Sequence, residues 1–113
     1  MAALRKSLEF TDVAGIPKEN LILDPGIGFG KPPEVDFALL KELDKFNEFQ
    51  RPLLVGVSRK AFIGAILGED NPDRRLVGTV SATTVAVVNG ADIIRTHDVA
   101  ETVVAARVGE ALR

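Results

Sequence analysis

At 113 residues, with 46% hydrophobic and 27% charged side chains, the chain has the composition of one small globular domain. Its 14 basic and 16 acidic residues leave a net charge of −2 and form no basic block, so the sequence points to no nucleic-acid partner. No apolar run approaches the roughly 20 residues of a membrane span, so no membrane is expected either. The absence of cysteine excludes disulfides and thiolate metal centres and suits a reducing cytoplasm, and a single histidine excludes a histidine-rich metal site.

In chain order, residues 2–14 are predicted as a helix, stopped by Gly15 with Pro17 just beyond. Leu21, Ile22 and Leu23 form a short predicted strand that runs into the turn sequence Asp24-Pro25-Gly26. After Pro32 and Pro33, the residues Leu39, Leu40, Leu43, Phe46 and Phe49 recur three or four apart, which predicts a second helix with one apolar face. The run Leu-Leu-Val-Gly-Val at 53–57 reads as a strand covered on both sides. Asn71-Pro72-Asp73 opens a third helix, with Asn71 as its cap, carrying Leu76, Val77, Val80, Val85 and Val88 up to Gly90. Ile93 and Ile94 mark a third strand. Asp98 and Glu101 have capping-box spacing at the head of a last helix, whose apolar stripe is Val99, Val103, Val104, Val108 and Leu112.

The polar residues that end the three strands, Asp24, Lys60 and Arg95, are separated by 36 and 35 positions. Strand, loop and crossover helix therefore repeat, which predicts an α/β fold with parallel strands. In such folds the loops after the strand C-termini are where ligands bind.

Three loops carry candidate chemistry. Asp24-Pro-Gly-Ile-Gly-Phe-Gly-Lys31 fails as a Walker A loop at Pro25 and Pro32, and as a dinucleotide fingerprint at Lys31. It reads either as a plain glycine-rich turn or as a carboxylate, Asp24, aimed into a pocket beside glycines that admit a ligand closely. In Ser58-Arg59-Lys60, alternate spacing puts Ser58 and Lys60 on one side and points Arg59 away, although a solvated charged loop is the plain alternative. In Arg95-Thr96-His97-Asp98, Arg95 and His97 share a face and together offer up to seven N–H donors if the imidazole is charged, which suits phosphate or pyrophosphate. A lone surface histidine is the alternative there, and Asp98 reads as the helix cap.

The same three segments resemble the dihydropteroate synthase family. Asp24-Pro-Gly-Ile-Gly-Phe-Gly-Lys31, Val57-Ser-Arg-Lys60 followed by Ala-Phe-Ile-Gly64, and Asn89-Gly-Ala-Asp-Ile-Ile-Arg-Thr-His-Asp98 match, in order and spacing, that family's last three strand-loop segments. The resemblance implies a (β/α)8 barrel, of which residues 1–113 would be a C-terminal piece: the last three βα units preceded by a helix. It implies condensation of p-aminobenzoate with a hydroxymethyl-dihydropterin pyrophosphate to dihydropteroate and pyrophosphate, in folate synthesis. Carried over residue by residue, Asp24, Gly28 and Lys60 would bind the pterin, and Arg95 and His97 would hold the pyrophosphate. Phe29 and Ser58, with Gly28 and Lys60 at the border, would face the p-aminobenzoate pocket where sulfonamides compete. Lys60, Arg95 and His97 would be the catalytic set. None of these residues is expected to bind metal; Mg²⁺ would be held by N-terminal strands that this stretch lacks, so the isolated chain is expected to be inactive. Open sheet edges predict a homodimer or higher oligomer. A pterin-dependent methyltransferase domain and a non-catalytic pterin- or anion-binding fragment are the alternatives.

Overall fold

A computed structural model describes residues 1–113. Helix α1, Ala2–Val13, lies on the surface and touches the core only through the half-buried Leu4 and Leu8. The strand expected at 21–23 shrinks to one residue: Leu23 pairs in parallel with Leu53 as an isolated bridge. Its N–H donates to the Pro52 carbonyl (2.9 Å) and its own carbonyl accepts from Leu54 N–H (2.7 Å). Pairing stops there because Pro25 has no N–H to offer a ladder. The strand expected at 53–57 is likewise short. Strand β1, Leu54–Val55, pairs in parallel with β2, Ile93–Ile94, in the register Leu54↔Ile93 and Val55↔Ile94. The observed sheet thus has two parallel strands, with Leu23 extending it on the β1 side.

Helix α2, Pro33–Lys41, ends before the predicted apolar face does. The chain continues as a 3-10 stretch, Leu43–Phe49, in which Leu43 and Phe46 are buried. Leu43, Phe46 and Phe49 are three apart, which is the 3-10 period, so the tighter helix aligns them in one row facing the core. Helix α3, Ala61–Leu67, was not anticipated; it buries Phe62 and Ile63 immediately after the charged triplet. Asn71 does cap, its Oδ1 accepting from Asp73 N–H at 3.0 Å, but what it caps is a 3-10 turn at Pro72–Arg74 rather than the long helix. Helix α4, Leu76–Val88, follows that turn, and α5, Val99–Leu112, closes the chain.

The apolar stripes expected on the last two helices are not their buried faces. Helix α4 buries Thr79, Thr83, Ala86 and Val87, while Val77 is 75% exposed. Helix α5 buries Thr102, Ala105 and Gly109 and leaves Val99, Val103, Val104, Val108 and Leu112 exposed. The two helices pack against each other through small residues, and a methyl group on Gly109 would stand 2.8 Å from Val87 Cβ. The buried threonine hydroxyls are all satisfied: Thr83 Oγ1 donates to the Thr79 carbonyl of its own helix at 2.8 Å, Thr79 Oγ1 accepts the Arg59 N–H, and Thr102 Oγ1 bonds Thr96 Oγ1. The core proper lies between the sheet and α2 and α3, where Ile27, Leu43, Leu53, Val55, Val57, Phe62 and Ile63 are nearly fully buried. No helix is long and apolar enough to cross a membrane.

Candidate active site

The glycine-rich loop is built by two carboxylates. Asp24 Oδ1 accepts the Gly26 N–H at 2.8 Å, closing an Asx turn and leaving Oδ2 free on an exposed side chain. Asp36, in the first turn of α2 and 2% exposed, accepts the Gly28 N–H at 2.9 Å. Between them Ile27 plugs the core at 1% exposure, so both ends of the loop are pinned. Sequence reasoning passed over Asp36. The available signal was an acid in a first helical turn, which by itself reads only as a partner of the helix dipole.

Lys60 lies beneath this loop. Its ammonium donates to the Ile27 carbonyl and stands 4.6 Å from the centre of the Phe29 ring, a cation–π distance. Gly28 has φ +83°, and a methyl group there would fall 2.5 Å from Lys60 Cδ, so the loop and the lysine stem occupy adjoining space. Burial pushes the Lys60 amine below its ordinary value; Asp24 and Asp36 oppose that shift, and Arg95 and Lys31 add to it.

The other cationic residues converge from β2. Arg95 directly follows β2, and its N–H donates to the Val55 carbonyl at 3.0 Å, which sets the residue at the end of the sheet, where its side chain lines a cavity. Its guanidinium is exposed and takes part in no ion pair. Ser58, 6% exposed, accepts the His97 backbone N–H at 3.1 Å, and its Oγ lies 2.6 Å from His97 Nδ1. With one lone pair engaged by the backbone, the hydroxyl still has its proton to donate to Nδ1 or its second lone pair to accept from it. Where the hydroxyl donates, the ring carries its proton on Nε2, the nitrogen that has no partner within the chain.

Ser58, Lys60, Arg95 and His97 line a single cavity of about 80 Å³, together with Gly56 and Thr96. Asp24, Gly28 and Phe29 lie outside that lining and join it through Lys60. Thr96 is not among the residues that the sequence singled out. Arg59 faces away from the cavity. Its backbone is left-handed, φ +56°, and its guanidinium forms a two-pronged pair with Asp98, Nη2 to Oδ1 at 2.8 Å and Nε to Oδ2 at 3.1 Å. This corrects the capping-box expectation: the Asp98 carboxylate makes no cap bond, and Thr96 Oγ1 instead accepts the Asp98 N–H at 3.2 Å. The Arg59 fork holds the Asp98 carboxyl below the usual carboxylate range.

The donor set is ammonium, guanidinium, imidazole and hydroxyl, which suits an anion. No group of three or more His, Asp or Glu is placed to hold a metal ion, and magnesium, which takes oxygen ligands, does not fit these residues.

The cationic cavity lies at the end of parallel strands, the place where α/β folds bind ligands. The chain belongs to the pterin binding enzyme family, whose pattern matches residues 1–97. It is 52% identical over 98 residues to the dihydropteroate synthase of Escherichia coli strain K12, an alignment covering 87% of this chain and 34% of that protein. The dihydropteroate synthase of Xanthomonas albilineans, solved in complex with 7,8-dihydropteroate, superposes with a TM-score of 0.93 at 40% identity, over 98% of this chain and 42% of that one. That of Yersinia pestis, solved with a sulfonamide drug, gives 0.91 at 43% identity, over 97% and 40%. The chain therefore spans about a third of the length of the curated dihydropteroate synthases it matches.

Proposed function

We propose that residues 1–113 form the C-terminal part of a (β/α)8 barrel that carries out dihydropteroate synthesis, with the first of its three strands present here as the Leu23 bridge. The reading rests on membership of the pterin binding enzyme family and on one observation. A guanidinium without an ion-pair partner, an imidazole whose Nε2 is unbonded within the chain and an ammonium share a cavity with no carboxylate in its lining. Such a cavity takes an anion.

In this reading the free Oδ2 of Asp24 accepts from the amino-pyrimidine edge of the pterin, and Lys60 bonds its carbonyl and ring nitrogen beside Gly28. Arg95 and His97 hold the pyrophosphate. Their donors stabilise the charge that develops as the bond between the methylene carbon and the pyrophosphate oxygen breaks. The amine of p-aminobenzoate, held over Phe29 near Ser58 and Lys60, then bonds that carbon and loses a proton. Magnesium is assigned to residues outside these 113. The site works in the cytoplasm, within an assembly of two or more copies.

Titration calorimetry with pterin pyrophosphate and with pyrophosphate alone tests the assignment. Arg95→Gln is expected to weaken both ligands about tenfold or more, as loss of a charge-assisted bond costs roughly 1.5–3 kcal/mol. Asp24→Asn is expected to weaken only the pterin-bearing ligand. Unchanged affinities in both variants would sink the reading.

A further inference from the structure

Two cross-links join the Ser58-Arg59-Lys60 turn to the segment Thr96-His97-Asp98, and they run side by side. Ser58 bonds His97, and Arg59 bonds Asp98 through both oxygens. The first link lies in the cavity. The second lies outside it, on residues that do not line the cavity.

The Arg59 link is built with more care than a surface ion pair requires. The left-handed backbone at Arg59, φ +56°, is a costly conformation for a side-chain-bearing residue. It is held on both flanks. The Arg59 N–H donates to Thr79 Oγ1 at 2.9 Å, on a threonine that is 0% exposed. Its carbonyl accepts from Arg75 Nη1 at 2.8 Å, and that guanidinium, on a residue 8% exposed, also donates to the Glu69 and Asp70 carbonyls at 3.1 and 3.0 Å. The kink turns the Arg59 side chain out of the cavity while Ser58 and Lys60, on either side, remain in it. The side chain then closes on Asp98 with fork geometry, and Asp73 adds a weaker contact at 3.5 Å. Because Asp98 follows His97 directly, fixing its carboxylate fixes the peptide that carries the imidazole.

We infer that Arg59 and Asp98 are positioning residues: their two-pronged pair sets the His97 imidazole against Ser58 in the tautomer that presents Nε2–H, at a fixed distance from Lys60. This deepens the proposed function, since it assigns a second layer to the anion site. Neither side chain lines the cavity. Their effect on binding runs through His97 alone, and the Ser58 hydroxyl by itself is too weakly oriented to hold the ring once the peptide behind it is free.

The chain has one histidine, so the His97 ring nitrogens give the only imidazole signals in a nitrogen-15 spectrum. In the native chain the two nitrogens should be well separated, as in a single tautomer. In Arg59→Met and in Asp98→Asn they should draw together as two tautomers exchange. Pyrophosphate affinity by calorimetry should fall about tenfold in both variants, and Arg59→Lys, which keeps the charge and lacks the fork, should recover only part of it. If Arg59→Met fails to fold, Arg59→Gly replaces it, because glycine accepts the left-handed backbone while removing the fork. A native-like pair of nitrogen signals in folded Arg59→Gly or Asp98→Asn overturns the inference, even where thermal stability has dropped. If the native chain binds no pyrophosphate, the anion-site reading falls, and the nitrogen signals alone then decide whether the pair positions His97.

Discussion

Gly28 and Gly30 offer a controlled comparison at the heart of the site. Both have left-handed backbones, φ +83° and φ +70°. An alanine at either position should cost about 1–2 kcal/mol for forcing a Cβ into that region. The two differ in what the new methyl group would meet. At Gly30 there is nothing within 4 Å; at Gly28 it would lie 2.5 Å from Lys60 Cδ, with Cε and Cγ at 3.3 and 3.4 Å. The clash falls on the middle of the lysine stem, so the whole side chain must swing, and the ammonium then leaves the Ile27 carbonyl and the Phe29 ring. A charge-assisted hydrogen bond contributes about 1.5–3 kcal/mol, so Gly28→Ala should lose about 2.5–5 kcal/mol against about 1–2 for Gly30→Ala. Urea unfolding followed by circular dichroism measures the difference, and titration with a pterin measures its consequence. Gly28→Ala should bind the pterin at least tenfold more weakly, with Gly30→Ala little changed. Equal losses of stability in the two variants would show that Lys60 is not held under the loop as described.

Three further outcomes are expected. Because Arg59 depresses the Asp98 carboxyl, the pair contributes stability at pH values above the usual carboxylate range and loses it as pH falls through the depressed value. Asp98→Asn should therefore show a shallower acid limb, below pH of about 4, and parallel acid limbs in the two proteins would contradict the pairing. Burial depresses the Lys60 amine from 10.5, so the unfolded chain holds that proton more tightly and stability should rise with pH between the lowered value and 10.5. Lys60→Met should lack that rise in the difference between pH 8 and about 10.5. Finally, Val77, Val99 and Val104 are 75, 64 and 62% exposed, and apolar surface of that extent on one pair of helices favours association. Light scattering at micromolar concentration should report a dimer or larger species, whereas a stable 12.1 kDa monomer would refute it.

What the order of residues determined on its own was the plan of the site. That Ser58, Lys60, Arg95 and His97 share one rim was legible because strand-loop-helix periodicity is local and places the residue after each apolar run at the same end of the sheet, although Asp24 lies outside the cavity they line. The outward direction of Arg59 was expected from alternation along an extended chain, but a left-handed turn at Arg59 is what produces it. The lengths of the strands were not. Whether Ile22 or Val57 joins a ladder depends on a neighbour far away in sequence, and here Leu23 alone finds one. Nor were the buried faces of α4 and α5, where hydrophobicity pointed to valines and the structure buries threonine, alanine and glycine. Two helices in close contact select for small size at the seam, a property of the pair that neither helix carries alone. Asp36 and Asp98 complete the contrast. Each is an acid near a helix N-terminus, and the helix dipole is all that sequence can assign to it. Only the folded chain brings Gly28 to the one and Arg59 to the other, because a hydrogen bond acts over about 3 Å of space, without regard to the residues that intervene along the chain.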